Sequence, residues 1–129
     1  ILHNVFSVSP GNAFDLGLYR EGAGKEVRFD HAGVAHVYCN VHHGMVAHVL
    51  VLDTPYFTYP AEDGSFVLTG LPKGPGTLTI WHEKTDPWTR QIELPAQAVA
   101  ARIEVVLLQL PPHLNKSGES YFRNSRERY

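Results

Sequence analysis

The chain holds one cysteine, one methionine and eight histidines, and four of these ten residues are placed where they could do chemistry together. The stretch Val37-Tyr38-Cys39-Asn40-Val41-His42-His43-Gly44-Met45 carries Cys39, His42 and Met45 at Cys-x2-His-x2-Met spacing, and His3 lies far upstream in His3-Asn4-Val5-Phe6-Ser7. Thiolate and thioether are soft donors and imidazole is borderline. Two His and one Cys with a weak axial Met select copper and suit one-electron transfer, whereas zinc takes a fourth strong ligand. A short arc of this kind lets Cys39, His42 and Met45 face one centre, and a ligand such as His3 must then come from a different strand.

Other readings of the same residues are open. A buried cysteine near a turn, two surface histidines and a core methionine would have this sequence too. A Cys–His nucleophile pair is chemically conceivable, but no oxyanion-stabilising loop or orienting Asn or Asp accompanies it. A c-type haem needs two cysteines. The remaining histidines lack partners at ligand spacing. His31 falls in a turn beside Gly33, His36 lies in the strand leading to Cys39 at an offset that turns it to the opposite face, and His48 lies in the exit strand. All three read as structural. His82 sits in a Trp81-His82-Glu83 run with no assigned role.

These side chains need a scaffold, and punctuation by 11 Gly and 9 Pro with short β-branched and aromatic runs between them predicts an all-β chain. Strands are expected at Leu2–Val8, Asp15–Tyr19, Lys25–Phe29, Val34–Cys39, Val46–Leu52, Ser65–Thr69, Gly76–Glu83, Arg90–Leu94 and Ala101–Gln109. Alternation is clearest in Ser65–Thr69 and Thr77–Trp81. The alanine-rich Pro95–Ala101 is too short for a stable isolated helix and is expected to be loop or a single turn. Two prolines and an Asp63-Gly64 turn signal follow Leu52. The chain therefore divides into residues 1–52, residues 53–110 and a tail of residues 111–129. The tail sets Lys116, Arg123, Arg126 and Arg128 against Glu119 and Glu127 and carries Tyr121, Phe122 and Tyr129. Its few aliphatic residues predict disorder in isolation, and its aromatic–arginine mixture suits docking on a protein surface.

Composition narrows the classes further. The chain has 129 residues, 43% apolar and 19% charged, with 11 basic against 13 acidic residues and a net charge of −2. It has no general electrostatic hold on nucleic acid or anionic lipid. Apolar runs such as Val49–Leu52 fall far short of the roughly 20 residues of a membrane helix. A single cysteine allows no intrachain disulfide. The first residue is Ile1 rather than Met, so a processed or longer chain is expected.

The motif His3-Asn4-Val5, the strand Gly33-Val34-x-x-Val37-Tyr38-Cys39 and the loop Cys39-x2-His42-x2-Met45 resemble the cupredoxins, with a short ligand loop similar to that of amicyanin. The wording His-Asn-Val-Phe-Ser, Phe-Asp-Leu-Gly-Leu-Tyr and Val-Leu-Asp-Thr-Pro-Tyr-Phe resembles a bacterial group of periplasmic methylamine-utilisation-protein-like chains. In these a cupredoxin half runs into a carboxypeptidase-regulatory-like, transthyretin-like β-sandwich, which Asp63–Gly74 also resembles. The resemblance spans about Leu2 to Glu83. It implies one type 1 copper with His3, Cys39 and His42 as equatorial ligands, Met45 as the axial one, and Asn4 pinning the ligand loop and the cysteine sulfur. His43 departs from the pattern, standing where the family commonly has proline. A full cupredoxin sandwich also has more strands than the about five expected before Leu52, so a leading segment or strands from neighbouring chains are expected.

The implied function is electron transfer outside the cytoplasm, in the periplasm, with the electron leaving by the edge of His42 towards a redox partner or membrane complex, and no reaction catalysed by this chain itself. The competing expectation is a structural or assembly subunit with an empty or vestigial copper site. Copper storage or delivery is a third.

Overall fold

The computed structural model describes residues 2–20, 22, 24–95, 100–104 and 112–121. Two antiparallel sheets are formed by β1 (Leu2–Ser7), β2 (Phe14–Arg20), β3 (Gly33–Cys39), β4 (Val46–Val51), β5 (Gly74–His82) and β6 (Thr85–Leu94). The all-β class expected from the turn punctuation is what folds. Among the described residues there is no helix, so none is long and apolar enough to cross a membrane. The chain divides into two compact units, Ile1–Asp53 with Leu110–Tyr129, and Thr54–Gln109.

The first unit is a four-stranded sheet in the order β2-β1-β3-β4. Strand β1 pairs with β2 from Leu2↔Arg20 to Ser7↔Phe14, and with β3 through Val5↔Cys39 and Phe6↔Tyr38. Strand β3 continues into β4 with a register running from Gly33↔Val51 to Tyr38↔Val46. Strand residues alternate faces, so Val5 and Cys39 share one face and Phe6, Tyr38 and His36 the other. Burial is deepest at Ala35, Phe6, Asn4, Ser7 and Cys39.

The turn joining β1 to β2 also positions β3. Ser9-Pro10-Gly11-Asn12 closes with Asn12 N–H donating to the Ser9 carbonyl at 3.0 Å, and Gly11 has φ of 76°. Proline followed by a glycine at positive φ is the pairing that a type II turn demands. A Cβ at Gly11 would also lie 3.2 Å from the His31 side chain. The Ser9 hydroxyl accepts the His36 N–H at 2.9 Å, and the Asn12 amide donates to the His31 carbonyl at 2.9 Å. This turn thus ties down both the entry to β3 and its centre.

Residues 112–121 belong to the first unit. His113 stacks on Tyr38 at 4.4 Å between ring centroids, and Tyr121 meets His113 at 5.2 Å. The Lys116 N–H donates to Asn40 Oδ1 at 3.0 Å, and its ammonium pairs with Asp15 at 2.7 Å. The few apolar residues of this segment are enough because the sheet supplies ready aromatic partners. The tail's remaining aromatics and arginines, Phe122 to Tyr129, lie outside the described residues.

In the second unit β5 and β6 form a two-stranded ribbon with pairs from Gly74↔Leu94 to Ile80↔Trp88 and an irregularity before His82↔Thr85. Leu78, Ile80, Trp88, Ile92 and Leu94 share one face, and Leu78 is the buried one. The expected Asp63-Gly64 turn is present. The Asp63 carboxylate accepts both the N–H and the hydroxyl of Ser65, which holds its pKa below the usual range, and Gly64 has φ of 84°.

Two expected strands do not form. Lys25–Phe29 and Ser65–Thr69 keep their alternation, with Val27, Phe29, Phe66 and Leu68 half-buried between exposed neighbours, but neither has a ladder partner among the described residues. Phe29 finds its contact edge-on against Phe14 at 5.9 Å. In the third expected strand, residues 101–104 are not in a strand, and 105–109 lie outside the described residues, as do 96–99 of the expected single turn. Each unit therefore shows one sheet, and the facing sheets of the expected sandwiches are not among the described residues.

Candidate metal centre

The register of the first sheet brings His3 to Cys39. Cys39 is the last residue of β3 and lies opposite Val5. His3 is two residues before Val5 on β1 and so on the same face, a diagonal neighbour within reach of a long side chain. His3 Nδ1 lies 4.0 Å from Cys39 Sγ. His42 reaches the same sulfur from the connection between β3 and β4, with Nδ1 at 3.5 Å.

Backbone bonds shape that connection. Met45 N–H donates to the His42 carbonyl at 3.0 Å, making His42-His43-Gly44-Met45 a tight turn. Cys39 N–H donates to the Met45 carbonyl at 3.1 Å, so the ligand loop is a continuation of the β3–β4 hairpin. Asn40 N–H donates to the Asn4 carbonyl at 2.8 Å and fastens the loop to β1. The Tyr121 hydroxyl donates to the Cys39 carbonyl at 2.7 Å. Burial and the nearby Cys39 sulfur both raise the Tyr121 pKa, so the phenol remains the donor.

The donor atoms of His3, Cys39 and His42 all lie within 4.8 Å of one another, and this cluster could hold a metal ion. An ion about 2.0–2.1 Å from each imidazole nitrogen and about 2.3 Å from the sulfur would keep nitrogen and sulfur within about 4.4 Å. The observed 4.0 and 3.5 Å separations satisfy that limit. Cys39 is 3% exposed and the two histidines are half-buried. The donors are thus screened from bulk water without being sealed from it.

Met45 is held through its backbone, and the residue is 47% exposed. Asn4 acts on the loop through its carbonyl, while its buried amide donates to Asp15 Oδ1 at 2.5 Å and to the Gly17 carbonyl at 3.2 Å, tying β1 to β2. Its side-chain bonds thus run to β2, away from the His3 face. Asp15 in turn receives Lys116, Asn4 and the Gly17 N–H, which hold its pKa down at about 2. His43 lies 6.3 Å from the Tyr121 ring. His82 Nδ1 accepts the Lys84 N–H at 3.1 Å.

One pairing is not evident from ligand spacing along the chain. His36 and His48 are direct cross-strand partners with ring centroids 5.0 Å apart. They stand six residues before and six after His42, so a hairpin folded about His42 must bring them opposite each other. That symmetry was the available signal.

Comparison of the chain with protein-family models, curated proteins and solved structures finds no match.

Proposed function

We propose that this chain is a type 1 copper electron-transfer protein acting in the periplasm, with His3, Cys39 and His42 as equatorial ligands and Met45 as the axial one. The observation that carries this reading is the convergence of two imidazole Nδ1 atoms from separate elements on one buried thiol. The donor set is soft-to-borderline and contains no carboxylate, which favours copper over calcium, magnesium or manganese. Bound copper supplies a one-electron couple.

The chain's own part is to hold the donors still. The Asn40–Asn4, Cys39–Met45, Met45–His42 and Tyr121–Cys39 hydrogen bonds fix the backbone on both sides of the sulfur. Ligands fixed in this way rearrange little between two oxidation states, which an electron carrier requires. His42, on the loop and half-buried, offers a path from the centre to a partner surface, so a redox protein or membrane complex would dock there. The second unit serves this reading as scaffold or docking surface, in keeping with its resemblance to regulatory sandwiches.

Addition of Cu(II) to the chain tests the proposal. An intense visible band from sulfur-to-copper charge transfer, absent in Cys39→Ser, is the expected result. A colourless protein that takes up no copper would overturn it and leave the structural or assembly reading. Colourless Cu(I) that is readily surrendered would point to delivery.

A further inference from the structure

On the opposite face of β3 from Cys39, the structure places a second pair of imidazoles. We propose that His36 and His48 form a separate surface site for a borderline divalent cation, Cu(II) before Zn(II).

The argument begins with register. His36↔His48 is an in-register antiparallel pair, flanked by Ala35↔Val49 and Val37↔Ala47. Direct cross-strand partners project from the same face with Cβ atoms about 4.5–5.5 Å apart. The ring centroids lie 5.0 Å apart, the same separation as between His3 and His42 in the three-ligand cluster. Two imidazoles bound to one ion at about 2.0–2.1 Å from nitrogen require a separation of this size. The rings now meet edge to face at 85°. A turn about χ2, a broad torsion in histidine, aims one nitrogen of each ring at a common point.

The surroundings favour a bound cation. The His36 N–H is fastened to the Ser9 hydroxyl, and its ring stacks on Tyr38 at an interplanar angle of 14°. Its backbone is therefore held, while the ring, with its centroid 6.5 Å from that of Tyr38, can turn. His36 is exposed and His48 half-buried, so an ion reaches the pair from water and keeps water in its remaining positions. Two imidazolium ions directly opposite each other repel, whereas a shared cation uses both lone pairs at once. Two imidazole donors take borderline metals and prefer Cu(II) by the order of divalent affinities.

The pair stands apart from the Cys39 cluster, so its test separates from that of the proposed function. The full chain is loaded with Cu(I) and then titrated with Cu(II), following the electron paramagnetic resonance of the added metal. The expected result is one equivalent with an axial spectrum and superhyperfine splitting from two nitrogens. It is lost in both His36→Ala and His48→Ala, and retained in His31→Ala and in Cys39→Ser. Because His36 and His48 stand in the sheet, His36→Gln and His48→Gln with unchanged far-ultraviolet circular dichroism serve as second variants. An equivalent that survives the His36 and His48 substitutions, or that weakens equally in His31→Ala, would overturn the proposal. So would the absence of nitrogen splitting.

Discussion

Strand β3 carries imidazole neighbours on both its faces, and the two faces are built differently. On one, buried Cys39 gathers His3 from β1 and His42 from the hairpin loop. On the other, His36 meets His48 across the ladder, with Tyr38 beside them. The ring separations are the same at 5.0 Å. The differences lie in the cysteine sulfur, the burial and the backbone bonds around the loop. On the proposed reading, two imidazoles in register would make a generic borderline site, while a soft sulfur withdrawn from water and locked in place would make a selective one. The two faces of one strand of period two would then hold different metal chemistries, set by their neighbours.

The largest effect expected is at the thiol. Cys39→Ser should abolish the charge-transfer band while the Cu(II) equivalent at His36 and His48 persists, and His48→Ala should do the reverse. Parallel titrations of the two variants read this directly, and loss of both sites in either variant would merge the two faces into one.

A change in the packing on the Tyr38 face should weaken the sheet that carries both sites. Phe6 is 1% exposed and packs on Tyr38 at 5.8 Å. Phe6→Ala should cost about 3–5 kcal/mol, a large share of the stability of so small a unit. Phe6→Leu keeps most of the volume and should cost less than about 1.5 kcal/mol. Urea unfolding of the two variants measures the difference.

Tyr121→Phe sharpens the contrast, because it removes the hydrogen bond to the Cys39 carbonyl and touches no bond of the His36 pair. The expected cost is about 1 kcal/mol, with a shift in the visible band and no change in Cu(II) affinity on the far face. Visible and paramagnetic resonance spectra of one sample would show it.

The smallest effect is the acid response of the tail. The Asp15 pKa is lowered from 3.8 to about 2, chiefly by Lys116. Between these values the unfolded or undocked chain binds more protons than the native one. The carboxylate's contribution is therefore complete above pH about 4 and is lost as the pH falls towards about 2. Both partners are over 40% exposed, so salt screens the pair and its effect is modest. Loosening of residues 112–121, followed by amide exchange at Lys116, should track that window and vanish in Asp15→Asn.

Much of the first unit was legible in the residues. The four strands around the centre lie within two residues of their expected limits, because alternation and Gly/Pro punctuation are local signals. The same alternation put Phe66 and Leu68 on one face, and both are half-buried, but it failed to show that Lys25–Phe29 and Ser65–Thr69 join no ladder among the described residues. Alternation reports burial of side chains, and a ladder requires a second strand within hydrogen-bonding distance. The role of 112–121 was hidden for the same reason, since its binding energy comes from Tyr38, Asp15 and Asn40, which lie far away along the chain.

The residues alone determined the donor types, their close spacing from Cys39 to Met45 and the strand-forming pattern on either side, because each is a property of neighbours along the chain. Only the tertiary structure decided that His3 reaches Cys39, that His36 faces His48 and that Tyr121 caps the ligand loop. Those contacts depend on which strands pair and in what register. That choice is made by the burial and hydrogen bonding of the whole sheet.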